Sequence, residues 1–497
     1  MVEITIDPVT RIEGHLNIKV NLENDKFTDA WASTALFRGF EEILQGRDPR
    51  DAIYIASRMC GVCYTSHGIA AAMALDQAMK VKPPALGTLL RVLTQHAEWL
   101  YDHILILFNL EGPDYGPPFG KMEEFAAFKG KAYLEALKMS KIAREATAVW
   151  GGKMPHQATF VPGGITEFPD VSKFAKFTYR VLEVKRWVDD YMIPLMDKFY
   201  DSYKDELTGS GETSANLLSF GVFDDETLDP QNRLLKPGAI INGNLTATNL
   251  YDEIAPKIFE HVTHSWYLDE SAGDPRETVA PIPQYTGIDK QGKYTWCKSP
   301  RWDDNVVEVG PLARMWSTAL QSGGKIVTDA GDWSPPEKPS TIERLYARAY
   351  EVAFVATKVV DKLYELLDLI NRGEREVFQP FSIPENSVGY GLTEAARGAL
   401  GHWVKVENKK IARYQVITPT TWNGSPRDDK GRRGPIEEAL ADTPVQNEDP
   451  TLDAVRVVRA FDPCIACAVH VFDGSKISTK NIEIFGNIIE TKKINNI

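Results

Sequence analysis

The first residues of the chain alternate apolar and polar side chains. The segments 2–6 and 16–20 both have an apolar residue at every second position. A period of two places successive side chains on opposite faces of a strand, so the region 1–30 predicts a small sheet or hairpin. The loop Thr10–His15 lies between the two predicted strands.

From residue 51 onward the pattern becomes helical. Apolar residues recur at spacings of three and four in four long segments: 85–110, 122–149, 171–203 and 341–371. Ser340, with Glu343 three positions later, gives the last segment the start of a capping box. We expect these helices to form a central bundle.

The region 205–335 is richer in Gly, Pro, Asn and Asp and contains short strand-like runs such as 238–242. It predicts an irregular lobe beside the bundle. The predicted fold class is therefore α+β and predominantly α, a central bundle of long helices with small antiparallel sheets and irregular loops. We expect residues 1–470 to form one unit, followed by a Lys-, Asn- and Ile-rich extension at 471–497.

Composition narrows the range of functions. The chain has 497 residues, a formal net charge of −13 and 43% hydrophobic residues, which is ordinary for a globular protein. An acidic surface argues against binding nucleic acid, which draws on clustered Lys and Arg. No apolar run approaches the roughly 18 residues of a membrane span, and the first residues lack a signal peptide. We expect cytoplasmic synthesis, with membrane association or export only through a partner.

Cysteine placement is the most informative feature of the composition. Four of the five cysteines form two CxxC pairs, at 60–63 and 464–467, while Cys297 is solitary and predicts a buried thiol. The pairs are 464 − 63 = 401 positions apart, far beyond the spacing of a zinc ribbon. If the chain ends meet, four thiolates suit a soft metal such as zinc, an iron–sulfur cluster, copper(I) or nickel. A structural zinc site is the plainest alternative.

The polar residues that accompany these cysteines in the sequence are more than a structural zinc site needs. They include carboxylates, histidines and arginines: Glu13, Arg58, His67, Asp102, Arg397 and His470.

The two cysteine motifs, RMCGVC at 58–63 and DPCIACAVH at 462–470, resemble the paired nickel-binding signatures of the large subunit of [NiFe]-hydrogenases. Further motifs match in family order: RIEGH at 11–15, FRGFE at 37–41 with GRDPRD at 46–51, GKMPH at 152–156 and EAARGALGHW at 394–403. The resemblance extends along nearly the whole chain.

The resemblance implies a ligand set for two metals. Cys60 and Cys464 would bind nickel terminally, while Cys63 and Cys467 would bridge nickel to an iron carrying carbon monoxide and cyanide ligands.

An arginine is implied above the iron. Arg397 would donate to cyanide, and Asp102 and Asp462 would hold and neutralise its guanidinium. This chain has Ala396 where the family commonly has Pro, so one backbone constraint on this arginine is missing.

The resemblance also implies a proton route and a second metal site. Glu13 would exchange protons with a nickel-bound cysteine, on a route through Cys467, and His67 would donate a hydrogen bond to a bridging sulfur. A buried magnesium, or iron in some members, would be bound by two side chains and a backbone carbonyl: Glu41, His470, and the carbonyl of Val416 or Ile417.

The implied activity is that of a catalytic subunit that splits H2 reversibly and heterolytically into protons and electrons, with uptake as the physiological direction. Since four of the five cysteines are committed to one site, electrons need a small subunit that carries iron–sulfur clusters. Nickel-insertion proteins and a maturation endopeptidase that removes 471–497 are also implied. The alternatives are a hydrogen-sensing subunit and a noncatalytic zinc-stabilised assembly subunit related to quinone reductases.

Overall fold

The computed structural model describes residues 1–277, 281–287 and 291–468. The helices are α1 Phe40–Leu44, α2 Asp51–Ala56, α3 Tyr64–Ala78, α4 Ala85–Leu105, α5 Lys131–Gly151, α6 Val171–Trp187, α7 Ile193–Tyr203, α8 Pro311–Gln321, α9 Thr341–Asn371, α10 Pro419–Asn423, α11 Pro435–Leu440, α12 Pro450–Ala460 and α13 Ile465–Ala468. The strands are β1 Val2–Ile6, β2 Leu16–Glu23, β3 Lys26–Thr34, β4 Phe37–Arg38, β5 Phe160–Val161, β6 Gly164–Ile165, β7 Leu217–Ser219, β8 Gly238–Ile241, β9 Asn244–Ala247, β10 Ile258–His261, β11 Ser299–Trp302, β12 Ile326–Thr328, β13 Gly331–Trp333, β14 Asn386–Ala395, β15 Gly398–Glu407 and β16 Lys410–Ile417. The predicted fold class is confirmed, because long helices pack with small antiparallel sheets of two or three strands.

The N-terminal sheet has the order β1-β2-β3, with Ile4 opposite Val20. Its apolar face packs against the C-terminal helices α11 and α12, in a cluster that joins residues such as Leu16 and Ile18 to Ile436 and Val457. This cluster brings the first and last described parts of the chain together.

The helices of the bundle lie where the sequence pattern predicts them, except for the start of the second helix. Helix α4 packs against α5 and α9 and continues as a π-helical turn, Ile106–Glu111. Helix α9 begins after Ser340, whose hydroxyl accepts from the backbone N–H of Glu343. The predicted start of the second helix at 122 is wrong, because Gly130 has extended backbone and α5 begins only after it.

A three-stranded sheet, β14-β15-β16, was not predicted from the sequence. Its first two strands form a hairpin from Asn386 opposite Glu407 to Ala395 opposite Gly398. The sheet packs on α3, the helix that follows the first CxxC pair. In the region 205–335, strand β8 confirms the short run at 238, while α8 adds a helix that the pattern did not indicate. Within the described ranges, no helix is both long and apolar enough to cross a membrane.

Two glycines allow β14 to lie directly on α3. A Cβ atom at Gly389 would overlap the backbone carbonyl oxygen of Ala74, and one at Gly391 would overlap that of Ala70. Because backbone atoms cannot rotate away, a larger residue would have to push the sheet off the helix.

We therefore predict that Gly391→Ala lowers the free energy of unfolding by about 1–3 kcal/mol, the usual cost of overpacking a core. Urea denaturation measures this value. Val388→Ala is the control, since that side chain on the same strand is 63% exposed. Equal unfolding midpoints for the two variants would contradict the close packing of β14 on α3.

Candidate metal centre

The four paired cysteines converge on one buried site. Cys60 follows a 3₁₀ turn, Cys63 caps the start of α3, Cys464 directly precedes α13, and Cys467 lies in α13. The Sγ atoms of Cys60 and Cys464 are 3.3 Å apart, those of Cys63 and Cys467 are 3.5 Å apart, and all four lie within 4.8 Å of one another. Each cysteine is 1% exposed. Among the described residues, this is the one such group of potential metal ligands found.

The RIEGH loop joins the two ends of the chain beside these sulfurs. The backbone N–H of Ile465 donates to the carbonyl of Glu13 at 2.8 Å. Gly14 has a φ of +83°, and a Cβ there would lie 2.8 Å from the Cβ of Ile465. The N–H of Cys464 donates to the hydroxyl of Thr420 at 2.9 Å. These contacts fix the second cysteine pair against the first.

The pKa values of the paired cysteines favour the binding of a cation. Burial opposes ionisation of Cys60, yet hydrogen bonds with the other three cysteines set the pKa of Cys60 well below its ordinary value. Burial raises the pKa of both Cys464 and Cys467 well above it. A soft cation can replace the thiol protons and take all four sulfurs as ligands.

Arg397 lies in the tight turn between β14 and β15. Its guanidinium is 2% exposed and donates to Asp102 at 3.0 Å, and it pairs with Asp462 at 3.1 Å. Burial raises the pKa of Asp462 to about 7 against the opposing effect of Arg397 and Arg348. Among the described residues, Nε of Arg397 is buried with no hydrogen-bond partner.

Arg314 stabilises the turn that carries Arg397 by hydrogen bonds to its backbone. The sequence pattern did not identify this residue. Arg314 donates to the carbonyls of Ala395 and Ala396 at 3.0 and 2.7 Å, and its charge is paired with Glu351 at 2.6 Å. These contacts constrain the backbone where the expected Pro is absent. A fully buried Arg on a short amphipathic helix gives no sequence signal of this role.

Glu13 reaches the sulfurs directly. Its Oε2 lies 3.2 Å from Sγ of Cys464 and accepts the backbone N–H of Ala466 at 2.9 Å. Burial, followed by the charge of Cys60, raises the pKa of Glu13. The sulfur that Glu13 contacts belongs to Cys464, whereas the expected route runs through Cys467.

His67 is linked to two residues that the sequence did not indicate. Its Nδ1 lies 3.1 Å from Nε2 of His402, and Nδ1 of His402 lies 2.7 Å from the hydroxyl of Tyr414. All three side chains are fully buried. Burial lowers the pKa of His67 to about 4, partly offset by the charge of Cys60. Within the described part of the chain, Nε2 of His67 has no partner.

A second group of buried carboxylates surrounds Glu41. Its Oε1 accepts the backbone N–H of Val416 at 2.9 Å, and burial raises the pKa of Glu41 to about 7. Glu260, which the sequence pattern missed, pairs nearby with Lys298 at 3.0 Å and accepts from Gln415. His470 and the segment 471–497 lie outside the described residues.

The solitary Cys297 has a buried thiol, as the sequence predicts, and its Sγ lies 3.6 Å from the carbonyl oxygen of Thr421.

Comparison with known proteins places this site in a family. A family model described as nickel-dependent hydrogenase matches residues 38–124 and 121–470, and a HoxL-like model matches residues 3–31. The periplasmic [NiFeSe] hydrogenase large subunit of Desulfomicrobium baculatum is 38% identical, with 95% of each chain covered. The uptake hydrogenase large subunit of Bradyrhizobium diazoefficiens is 31% identical, with 96% of each chain covered.

Solved structures agree with these sequence relatives. The Ni-Fe-Se hydrogenase of D. vulgaris Hildenborough in the reduced state matches with a TM-score of 0.83 and 35% identity, over 94% of this chain and 100% of that one. The actinobacterial-type NiFe-hydrogenase of Ralstonia eutropha H16 matches with a TM-score of 0.89 and 28% identity, over the same shares. With four buried sulfurs brought together from both ends of a matching fold, the chain belongs to the nickel-dependent hydrogenases, as a catalytic large subunit.

Proposed function

We propose that the four cysteines hold nickel together with an iron that carries carbon monoxide and cyanide ligands, and that the physiological direction is H2 uptake. The observation that carries this proposal is the convergence of four buried Sγ atoms within 4.8 Å. Such a group supplies, when bound, the redox chemistry that splits H2 into protons and electrons. The relatives named uptake hydrogenase support the direction.

The four Sγ atoms are close together both within and across the two motifs, and the shortest distance, 2.8 Å, joins Cys464 and Cys467. Cys60 lies beside Cys464, and Cys63 lies beside Cys467. In the proposal Cys60 and Cys464 would hold nickel, and Cys63 and Cys467 would hold both nickel and iron, since soft thiolates suit both metals. Some relatives are named as selenium-containing hydrogenases, whereas this chain has cysteine at all four positions.

Arg397 is the proposed donor to an iron-bound cyanide. Two of its nitrogens are held by Asp102 and Asp462, and its buried Nε has no partner among the described residues. A buried N–H without an acceptor is costly, so an anionic ligand above the sulfurs would satisfy it. The two carboxylates fix the guanidinium plane.

Glu13 is the proposed proton carrier. A carboxyl group 3.2 Å from Sγ of Cys464 is within reach of a proton on that sulfur. Burial raises the pKa of Glu13 from its ordinary value toward neutral pH. Glu13 therefore takes protons from Cys464 and passes them toward the surface, where its neighbour Gly14 is exposed.

Electrons require a partner, and we propose a small subunit that carries iron–sulfur clusters. The four paired cysteines occupy one site, and the fifth, Cys297, is buried. Gly61 and Arg58 are exposed although Cys60 is buried, so the chain's surface comes close to the sulfurs at this motif. The partner has to approach this face for electrons to leave over a short distance.

The second group is proposed to bind magnesium, or iron, through Glu41, the carbonyl of Val416 and His470. In a strand, the N–H and C=O of one residue point to the same side. Since the N–H of Val416 donates to Glu41, its carbonyl faces the same space, which favours Val416 over Ile417.

We further propose that residues 1–470 act as one unit and that a maturation endopeptidase removes 471–497 after nickel-insertion proteins have loaded the centre.

Elemental analysis tests the metal assignment. We predict about one nickel per chain, with little zinc, in protein purified from its native host, and intact mass ending at His470. Iron is not diagnostic, because clusters in the partner would contribute. Zinc without nickel in chains already trimmed after His470 would show a structural zinc site instead. Nickel in chains that keep all residues to 497 would contradict the proposed removal of the extension.

The role of Glu13 is tested by Glu13→Gln. We predict a loss of D2/H⁺ exchange of about 100-fold or more, because the amide cannot carry the proton, with nickel content unchanged. Membrane-inlet mass spectrometry measures the exchange. Glu3→Gln, at an exposed position on β1, is the matched control. Exchange at the parental rate in Glu13→Gln would remove this residue from the proton route.

The second metal site is tested by Glu41→Gln. Removing the anionic oxygen ligand is predicted to lower the magnesium content of the chain while nickel stays bound, since hard cations depend on carboxylate ligands. Glu42→Gln is the control, because Glu42 is the adjacent exposed glutamate on α1. Magnesium retained at the parental level by Glu41→Gln would place the ion elsewhere.

A further inference from the structure

We propose that Tyr414 is a positioning residue which, through His402, fixes His67 as the tautomer whose Nε2–H faces the sulfur cluster. The inference rests on the proposed function, because it concerns the surroundings of the same metal centre.

The three residues form a continuous chain of hydrogen bonds from the sheet to the helix that follows Cys63. Tyr414 lies on β16, His402 on β15 and His67 on α3. The hydroxyl of Tyr414 is 2.7 Å from Nδ1 of His402, and Nε2 of His402 is 3.1 Å from Nδ1 of His67. The ring of His402 therefore uses one nitrogen toward Tyr414 and the other toward His67. The position of the proton on His402 determines its position on His67.

The free end of this chain of hydrogen bonds is Nε2 of His67. Nδ1 of His67 is occupied by His402, so Nε2 is at the opposite edge of the ring, buried and without a partner among the described residues. His67 is one helical turn after Cys63 and on the same face of α3. A buried Nε2 without a partner, one turn from Cys63, is the basis for placing this nitrogen toward the sulfurs.

Two directions of the hydrogen bonds are possible, and the ends of the chain distinguish them. If Tyr414 donates, His402 carries its proton on Nε2 and donates to Nδ1 of His67. His67 then presents an N–H to the sulfurs. In the reverse direction, the buried hydroxyl hydrogen of Tyr414 has no other acceptor among the described residues, and His67 presents a lone pair to anionic sulfur. Burying an unsatisfied donor and opposing two electron-rich atoms are both unfavourable, so Tyr414 donates.

An N–H that is held toward a thiolate lowers the electron density on the sulfur and thereby affects the metal that the sulfur binds. Because the relay fixes the tautomer, the donor is present before metal and substrate arrive. Neither histidine needs to change its charge in this role, because the hydrogen bonds alone fix which nitrogen carries the proton.

Neutron diffraction from crystals of the deuterium-exchanged holoenzyme tests the direction. The expected result is a deuteron on Nε2 of both His67 and His402, with the Tyr414 deuteron pointing at Nδ1 of His402. A deuteron on Nδ1 of either histidine would overturn the proposal, whatever the activity of the enzyme.

Tyr414→Phe tests the contribution of the hydroxyl. We expect H2 oxidation to fall about 10-fold, the lower end of effects seen for groups that orient metal ligands, with nickel content unchanged. The infrared bands of the carbon monoxide and cyanide ligands should shift as well, because the donor to sulfur is less firmly held. Tyr203→Phe is the matched control, since Tyr203 is also fully buried and donates its hydroxyl to the carbonyl of Tyr115.

Infrared bands and turnover in Tyr414→Phe that match those of Tyr203→Phe would overturn the positioning role. Failure of the proposed function would be distinguishable, because the parental protein would then lack nickel and H2 turnover while the deuteron positions could still be read.

Discussion

The metal centre depends on one contact between the two ends of the chain. The carbonyl of Glu13 accepts the N–H of Ile465, and Gly14 lets the two segments approach closely. Bringing Glu13 and Ile465 together closes a long loop of the chain, and the entropic cost of closing a loop grows only slowly with the loop's length. The apolar cluster between the N-terminal sheet and helices α11 and α12 offsets it. Without that cluster, neither CxxC pair could complete a site, because each supplies only two sulfurs.

Burying four sulfurs with charged neighbours requires compensation throughout the surrounding core. Arg397 is paired with Asp102 and Asp462, and Asp462 is also paired with Arg348 at 3.2 Å. Further into the bundle, Glu351 pairs with Arg314. Removing one member would leave an uncompensated buried charge, which is far more costly than removing a surface pair. The network therefore fixes the positions of the charged groups around the four sulfurs.

The sheet β14-β15-β16 supplies functional groups to both proposed metal sites. Its first turn carries Arg397, β15 carries His402, and β16 carries Tyr414 and Val416. Gly391 lets this sheet lie against α3, so residues distant in sequence reach Cys63 and His67. A single sheet thus relates the geometry of the four-sulfur centre to that of the carboxylate site at Glu41.

The sequence by itself determined the long helices, the N-terminal strands and the four cysteine ligands. Apolar periodicity is a local property, and CxxC spacing fixes which sulfurs can act together in a tight turn. It did not indicate the sheet at 386–417, Arg314 or Glu260, and it did not indicate a role for His402, although this residue lies within the motif at 394–403. The identity of the sulfur beside Glu13 was also decided only by the fold. These features depend on which distant groups a buried donor or acceptor meets, and a polar side chain has the same sequence signal whether it is solvated or paired in the core. Tertiary packing alone decides between those two environments.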